Sequence, residues 1–329
     1  MSRLLVTGAN GFIGSALVER ALAQGWEVTA AVRPTSDCSH LQGKRVRFVH
    51  LPYASVAELR QVLRRQGRFD YVAHIAGVTK ALRREAFFQI NAHYTRSLAE
   101  ALTEEELRPA CFLLLSSLAA LGPATGSERV HPSQPATPVT TYGASKRAAE
   151  EYVEALGSGL PWVIVQPTAV FGPRDRDLFQ FVRLVNRGLE LYIGLRPQRV
   201  SFIHVDDLAE LMLTALARGP QGKKFIAADG QDYTTDDLGE AVRLALCRRT
   251  LRLRLPLAAV QAVAAIGEQV GKWRGRVPAL YREKLRELHG VNWWCDTSET
   301  FQALNFQPQY NLYSGMKDTV NWYRQHEWL

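Results

Sequence analysis

Three glycines near the start of the chain constrain its fold more than any other feature. Gly8, Gly11 and Gly14 follow an apolar run at residues 3–6 and precede a segment whose apolar residues have helical spacing. A strand, a tight turn and a helix in this order place the N–H groups of a helix N-terminus beside the turn, where they attract phosphate. The third glycine also permits close packing of helix on strand. The sequence therefore predicts a turn that binds the pyrophosphate of a dinucleotide.

Short β-rich runs alternate with helical patterns through the first half of the chain. We expect strands at 27–32, 46–49, 71–75, 111–116 and 162–166, and helices at 56–66, 87–107 and 142–156. Such alternation builds a parallel sheet with helices on both faces. The prediction is an α/β fold, a Rossmann-type doubly wound parallel sheet with a smaller, mostly helical C-terminal substrate lobe. We expect residues 1–168 and about 199–228 in the dinucleotide-binding domain, and about 169–198 and 229–329 in the substrate-binding lobe.

The composition narrows the class of partner. The chain has 329 residues, 47% of them hydrophobic and 22% charged, which argues against a disordered or fibrous protein. Its net charge of +8 is spread along the chain, whereas a nucleic-acid binder would more often concentrate it. The four cysteines lie far apart, so neither a disulfide framework nor a zinc site is supported. With no apolar stretch of about 20 residues, we expect a cytoplasmic protein without an integral membrane segment.

A tyrosine and a lysine open the helix predicted at residues 142–156. Tyr142 and Lys146 are four residues apart and so lie on one helical face. A tyrosine has an ordinary pKa of about 10, and a fixed ammonium group beside it stabilises the phenolate. Ser116 and Ser117 end a predicted strand, where ligands collect in open α/β sheets. These residue types suit proton transfer at a carbonyl or hydroxyl group.

Several segments occur in an order that resembles one known family. They are Thr7-Gly-Ala-Asn-Gly-Phe-Ile-Gly14, Asp70-Tyr-Val-Ala-His-Ile-Ala-Gly77, Asn91, Ser116-Ser-Leu-Ala-Ala-Leu-Gly122, Tyr142-Gly-Ala-Ser-Lys146, Gln166-Pro-Thr-Ala-Val-Phe-Gly-Pro173 and Phe202-Ile-His-Val-Asp-Asp-Leu208. Together they are similar to an extended short-chain dehydrogenase/reductase of the NAD-dependent epimerase/dehydratase family, near its nucleoside-diphosphate-sugar epimerase and dihydroflavonol reductase-like branches. The likeness covers nearly the whole chain.

The resemblance implies a role for each matching residue. Tyr142 would be the general acid/base, Lys146 would lower its pKa and hold the nicotinamide ribose, and Ser117 rather than Ser116 matches the catalytic serine. Asn91 would tie strand to helix. The cofactor-binding residues implied are Gly8, Gly11, Phe12, Ile13, Gly14, Ala76, Gly77, Lys146, Pro167 and Val170.

The end of the second predicted strand bears on the choice of cofactor. NAD-binding folds often carry an acid there for the ribose 2′-hydroxyl, but this chain has Val32 and then Arg33. An arginine suits a 2′-phosphate, so NADP(H) is favoured over NAD(H). After the third strand the family usually has Asp-Leu at the adenine, and here Pro52 and Tyr53 replace it.

The substrate residues depart from the relatives' patterns. No carboxylate follows Ser117, which argues against a dehydratase, and Val200 stands where sugar-nucleotide epimerases commonly place an arginine. Candidates to hold an anionic small-molecule substrate such as a nucleotide sugar are Thr79, Arg174, Arg176, Arg183 and Arg199.

Two further segments invite other interpretations. His204 with Asp206 and Asp207 suggests a metal site, but acids at a strand-to-helix junction more often serve the helix N-terminus, so we expect no metal. Residues 248–254 are basic and 255–266 apolar; we expect them to pack in the substrate lobe, the alternative being contact with a membrane or an amphiphilic substrate.

Three functions remain open on the sequence. The first is an epimerase that oxidises and re-reduces a nucleotide sugar through a transient keto intermediate. The second is a NADPH-dependent ketone reductase or hydroxyl dehydrogenase, similar to dihydroflavonol reductases and hydroxysteroid dehydrogenases. The third is a non-catalytic cofactor sensor, against which the intact Ser117, Tyr142 and Lys146 argue. By resemblance to related dimers we expect a homodimer that pairs the helices predicted at 87–107 and 142–156.

Overall fold

The strands are given by a computed structural model that describes residues 1–81, 83–126, 128–261, 285 and 292–329. They are β1 (Arg3–Thr7), β2 (Glu27–Ala31), β3 (Val46–Val49), β4 (Tyr71–His74), β5 (Cys111–Leu115), β6 (Trp162–Pro167), β7 (Ala169–Phe171), β8 (Leu189–Ile193), β9 (Arg199–Val200), β10 (Phe202–His204), β11 (Lys223–Ala227), β12 (Tyr233–Thr234), β13 (Leu251–Leu255) and β14 (Asn292–Trp293). Seven of them form the main sheet, in the order β11-β6-β5-β4-β1-β2-β3, and every pairing in it is parallel. The expected fold class is confirmed.

The described α-helices connect these strands and build the second lobe. They are α1 (Phe12–Ala23), α2 (Val56–Gln66), α3 (Arg84–Phe87), α4 (Tyr94–Ala101), α5 (Thr141–Glu154), α6 (Arg176–Asn186), α7 (Val205–Arg218), α8 (Thr235–Leu246), α9 (Ser298–Leu304) and α10 (Leu312–Gln325). No helix in the described ranges is long and apolar enough to cross a membrane.

Each face of the main sheet is covered by its own apolar layer. Leu4 and Val6 of β1 belong to the cluster that contains α1 and α7, whereas Leu5 between them belongs to the cluster with α2, α4 and α5. A strand buried on both faces needs apolar residues at every position, which explains the unbroken run in β1. The strand order reverses between β1 and β4, so the segments after these two strands border the crevice where ligands bind in such sheets.

The helix predicted over residues 87–107 is interrupted in the structure. Helix α3 runs into a π-helical stretch, Phe88–His93, before α4 begins, and α4 ends at Ala101. Such stretches are frequent at functional sites because they redirect side chains within a helix. Here the stretch carries Asn91, whose side chain reaches the loop after β4.

The second lobe has its own aromatic core. Phe171, Phe202, Tyr233 and Tyr323 are buried together with residues of α6, α8 and α10. Three small sheets frame it, pairing β7 with β10, β9 with β12 and β14, and β8 with β13. Trp273 and the apolar segment beyond residue 261 lie outside the described residues.

Candidate active site

The glycine turn after β1 is too narrow for side chains at two of its positions. Gly8 has a φ of +66°, and a Cβ there would lie 2.8 Å from the Cα of Ala76. A Cβ on Gly14 would lie 2.1 Å from the carbonyl oxygen of Gly8. Gly11 is the exposed N-cap residue of α1, and no side chain caps the first N–H groups of the helix there. This cradle fits the pyrophosphate of a nicotinamide dinucleotide.

The end of β4 is fastened to that turn by a threonine. The Thr7 hydroxyl oxygen accepts hydrogen bonds from the backbone N–H groups of Ile75 (3.1 Å) and Ala76 (3.0 Å). A Cβ on Gly77 would lie 3.0 Å from the Oδ1 of Asn91 and 3.1 Å from the Nζ of Lys146. Gly77 therefore connects the cofactor turn with the lysine predicted to act in catalysis.

Helix α5 presents Tyr142 and Lys146 one turn apart. The Thr140 side chain caps the helix by accepting from the N–H of Gly143 at 3.1 Å. Lys146 is buried, and its Nζ donates to the carbonyl oxygen of Leu115 at 2.9 Å. Burial lowers the pKa of Lys146 to about 8, against the opposing field of Glu150. Tyr142 is half-buried, with its ring centroid 6.4 Å from that of Phe87.

The two serines after β5 have different surroundings. Ser116 is buried and its hydroxyl donates to a carboxylate oxygen of Glu150. Ser117 is half-buried and begins a short helical turn, with its Oγ accepting from the N–H of Ala119 at 3.2 Å. The residues on either side of it contact α5, since Leu115 binds Lys146 and a Cβ on Gly143 would lie 2.2 Å from the oxygen of Ala119. Ser117 therefore lies near the first turn of α5, and its catalytic role stays a prediction.

Comparison with known proteins identifies the family of the chain. The model of the NAD dependent epimerase/dehydratase family matches residues 4–228. The chain belongs to this family. A ceramide reductase of Caulobacter vibrioides is 31% identical over 98% of this chain and 95% of its own. A UDP-glucose 4-epimerase of Vibrio cholerae is 25% identical over the same shares of the two chains.

A solved structure has the same fold. The UDP-glucuronic acid 4-epimerase of Bacillus cereus, in complex with NAD, superimposes with a TM-score of 0.77 over 98% of this chain and 99% of its own, at 19% identity. The chain is thus an enzyme of the extended short-chain dehydrogenase/reductase kind, in a family whose members use NAD-type cofactors. The third sequence hypothesis, a non-catalytic sensor, is not supported.

A buried carboxylate that the sequence analysis missed lies beneath the family's catalytic positions. Glu150 has no exposed surface and, besides Ser116, binds the Nε2 of Gln166 (2.8 Å) and the Nζ of Lys224 (3.3 Å). It stands four residues after Lys146, and this spacing was the available signal. Glu150 holds the ends of β5 and β6 against α5.

His74 is a core histidine with a partner on each ring nitrogen. Its Nδ1 lies 2.8 Å from the Oγ1 of Thr7 and its Nε2 lies 3.0 Å from the Oγ1 of Thr95. Since the Thr95 hydroxyl donates to the oxygen of Asn91 (2.6 Å), the histidine Nε2–H must donate to Thr95 and its Nδ1 must accept from Thr7. Burial lowers the pKa of His74 to about 3, so the ring is neutral.

The remaining cofactor candidates stay predictions, and they differ in exposure. Arg33 is exposed just after β2, and near it the Nδ2 of Asn10, in the glycine turn, lies 3.4 Å from the carbonyl oxygen of Asp37. Pro167 is buried at the end of β6 and Val170 is half-buried on β7. Tyr53, which replaces an expected adenine contact, stacks on Tyr94 with ring centroids 5.0 Å apart.

Three of the arginines expected to hold an anionic substrate each contact a partner of their own. Arg174 forms two hydrogen bonds to the carboxylate of Glu19 in α1, at 2.8 and 3.0 Å. Arg183 is exposed on α6 and donates to Gln180 at 2.9 Å. Arg199 lies over the ring of Trp294, 4.5 Å from its centroid. The expectation of a substrate role is therefore least supported for Arg174, because Glu19 already neutralises it.

Thr79 and Arg176, the other two candidates, are each adjacent in sequence to one member of an ion pair. Thr79 is exposed after β4, and the next residue, Lys80, binds Asp177 at 2.5 Å. Arg176 begins α6 directly before that aspartate.

The His204 segment serves the N-terminus of α7. His204 is the N-cap residue, and Asp206 and Asp207 lie in the first turn. Asp207 accepts hydrogen bonds from the N–H groups of Gln309 and Tyr310, both at 2.9 Å. Ligand-type atoms of His204, Asp206 and Asp318 lie within 4.8 Å of one another. The carboxylate of Asp206 lies 3.8 Å from the Nδ1 of His204, and that of Asp318 lies 3.6 Å from its Nε2. Because the two carboxylates approach different ring nitrogens, one metal ion could not bind both nitrogens of the ring.

Proposed function

We propose that this protein is a NADPH-dependent reductase of a ketone on an apolar or amphiphilic molecule, rather than a nucleotide-sugar epimerase. The observation that carries the proposal is that Arg174, Arg183 and Arg199 contact three separate partners, which are Glu19 of α1, Gln180 of α6 and Trp294 just after β14. A nucleotide-sugar site needs cationic groups that converge on a diphosphate. The higher identity to a ceramide reductase than to a UDP-glucose epimerase, 31% against 25%, supports the same choice.

The chain's own residues supply binding and proton transfer in this reaction. When bound, the reduced nicotinamide supplies the hydride that the carbonyl carbon accepts. Ser117 would hold the carbonyl oxygen by a hydrogen bond, and the Tyr142 hydroxyl would donate the proton that converts the alkoxide into the product alcohol. The Lys146 ammonium beside it would stabilise the resulting phenolate. The ketone thus takes up one hydride at carbon and one proton at oxygen, and the product is one alcohol.

The preference for NADPH rests on Arg33. Its side chain is exposed beyond β2, beside a loop joined to the glycine turn, where a guanidinium group can pair with a 2′-phosphate. Arg33→Asp should weaken NADPH binding at least about tenfold and leave NADH binding within about twofold. Equal weakening for both cofactors would remove the argument for NADPH.

Cofactor retention and product formation separate the two enzyme functions. The purified protein is denatured and any nucleotide released is identified by mass. Intact protein is then supplied with NADPH and a panel of long-chain and polycyclic ketones, or with UDP-sugars and no added cofactor. The reductase proposal predicts little retained nucleotide and NADPH oxidation with a ketone that Tyr142→Phe abolishes. Stoichiometric retained nucleotide with interconversion of a UDP-sugar would establish the epimerase, which the Vibrio cholerae relative keeps as the second candidate.

A further inference from the structure

The small sheet formed by β8 and β13 has one face made entirely of leucine and isoleucine. The strands pair in parallel, so that Leu251, Leu253 and Leu255 lie opposite Leu189, Leu191 and Ile193 respectively. Paired residues in a sheet project from the same side, and every second residue along a strand does so too. These six side chains therefore form one surface, which we name the aliphatic face.

The polar residues of this sheet point the other way, toward the protein. Glu190 of β8 is fully buried, and its carboxylate is approached by Arg243 of α8 (3.1 Å) and Arg252 of β13 (3.4 Å). Arg254 pairs with Asp236 at the start of α8. These ion pairs fix the register and orientation of β13, because a shift by one residue would exchange its two faces. The aliphatic face is thereby held outward.

The β13 half of the aliphatic face is open to solvent. The exposed fraction of the residue surface is 64% for Leu251, 40% for Leu253 and 39% for Leu255. For Leu195, just beyond β8, it is 70%. Within the described residues, the aliphatic face has an apolar cluster at one end, where Ile193 packs against Val260 and Leu285. Large apolar side chains gathered on one surface are typical of a binding site for a protein or a membrane.

The charges around the aliphatic face indicate which of these it binds. Arg187, Arg248 and Arg249 lie at the end where both strands begin, and Arg196 follows Leu195 at the other end. All four are exposed, and in the described part of the chain none of their guanidinium groups forms an ion pair. An apolar surface bordered by arginines complements a lipid bilayer with anionic headgroups, because the leucines enter the interface and the arginines bind phosphate.

We propose that the aliphatic face docks this protein on anionic membrane surfaces. A second copy of the chain fits the same observations less well. A two-fold contact between two aliphatic faces would bring the arginines at their edges together without acids to neutralise them. The proposal does not depend on the reductase assignment, since docking is measured without substrate or cofactor.

Sedimentation with lipid vesicles tests the proposal on the full chain. Vesicles of phosphatidylcholine alone are compared with vesicles that also contain phosphatidylglycerol, over a series of salt concentrations. The protein should bind the anionic vesicles and dissociate as salt rises. Leu253→Asp and, separately, Leu251→Ser should weaken binding at least about tenfold. Arg248→Gln and Arg249→Gln should each weaken it about fivefold, the equivalent of about 1 kcal/mol per charge.

A matched control lies on the last strand of the main sheet. Phe48 is also an exposed apolar residue on an edge strand, β3, but it lies outside the aliphatic face, so Phe48→Asp should bind vesicles as the unaltered protein does. Circular dichroism and NADPH affinity confirm that each variant is folded. The proposal is overturned by absence of binding to anionic vesicles or by equal loss in Phe48→Asp. It is equally overturned if Leu253→Asp converts a dimer into a monomer and vesicle binding is unaffected.

Discussion

Ser116 and Ser117 are identical in type and adjacent in sequence, yet their contacts assign them different tasks. Ser116 donates to the buried Glu150, so Ser116→Ala leaves that carboxylate short of a donor and should destabilise the fold by about 1–3 kcal/mol. Ser117→Ala removes the acceptor that caps the short turn at the N–H of Ala119, and should destabilise the fold by about 0.5–1 kcal/mol. We expect Ser117→Ala to lower kcat at least about a hundredfold, with Ser116→Ala retaining most of it. The reverse pattern would show that the serine assignment is wrong.

If Lys146 acts in catalysis as proposed, its titration should set the alkaline limit of activity. Its ammonium group is lost as pH rises through about 8, so kcat/KM for ketone reduction should fall above that pH. Stability should respond in the opposite direction. The unfolded lysine titrates near 10.5, so between about 8 and 10.5 the unfolded chain binds more protons and this group's contribution favours folding increasingly with pH.

Two measurements check this interpretation. Initial rates across pH locate the fall, and urea unfolding at the same pH values separates it from alkaline denaturation. Lys146→Arg keeps a charge at every pH used, so whatever activity it retains should not fall near pH 8. A profile of the unaltered protein that stays flat well above pH 8 would contradict the assignment.

At this scale the sequence predicts residues that belong to short motifs and misses those joined by the fold. Tyr142 and Lys146 are predictable because one helical turn connects them. Glu150 binds Ser116 and Lys224, which lie 34 positions before it and 74 positions after it along the chain. Only the packing of β5 and β11 near α5 brings these partners together. No local pattern contains that information.

At the scale of elements, Gly14 and Gly11 of the glycine turn should respond differently to an added methyl group. Gly14→Ala places a Cβ against the carbonyl of Gly8 and should destabilise the protein by about 1–3 kcal/mol or more. Gly11 has a φ of −78°, which alanine adopts, and it is exposed. A Cβ on Gly11 would lie 3.2 Å from the carbonyl oxygen of Gly8, a milder contact than the one at Gly14. Gly11→Ala should therefore destabilise the protein less than Gly14→Ala, and should bind NADPH at least about tenfold more weakly because it shifts the turn proposed to hold the pyrophosphate.

Thermal unfolding and equilibrium binding of NADPH measure the two effects separately. If Gly11→Ala binds NADPH with unchanged affinity, the pyrophosphate does not approach this turn. The cofactor assignment would then have to be withdrawn.

Helices with a clear apolar period are predicted well, and the interrupted one is not. The pattern predicts α2 at residues 56–66, where the structure has it, with Ser55 as the N-cap. The predicted helix 87–107 is divided because Asn91 must reach both the loop after β4 and Ser145 of α5. The spacing of apolar residues does not show that Asn91 makes these contacts, so it predicts one uninterrupted helix.

For the whole molecule, the division into a cofactor domain and a substrate lobe stays a prediction. Substitution of one tryptophan in each part tests it. Trp328 stacks on Tyr323, with ring centroids 5.4 Å apart, in the aromatic core of the second lobe. Trp328→Ala should lower stability by about 1–3 kcal/mol and leave NADPH affinity within about twofold, because the cofactor turn lies in another core. Trp26 contacts Tyr71 beside the main sheet, so Trp26→Ala is the matched variant in which NADPH affinity should fall.

Differential scanning calorimetry and NADPH titration of both variants decide the question. Equal losses of NADPH affinity in the two variants would show that the domains do not act separately.

The topology of the main sheet is predictable from the sequence, whereas the small sheets are not. Repeated strand–helix–strand order leaves few arrangements for a parallel sheet. The pairing of β8 with β13 joins residues about 60 positions apart through strands that carry no common motif. Its outward leucines also reverse the usual rule that apolar residues lie inside, so residues 248–255 do not pack wholly within the lobe as the sequence analysis expects.

One measurement tests the central claim, net reduction of a ketone, most directly. The protein is incubated with NADPH deuterated at the transferred position and the ketone panel, and products and cofactor are analysed by mass spectrometry. The proposal predicts one deuterium in each alcohol formed, one oxidised cofactor for each product, and neither in Tyr142→Phe. A UDP-sugar interconverted without net oxidation of cofactor, and no alcohol from any ketone, would contradict it.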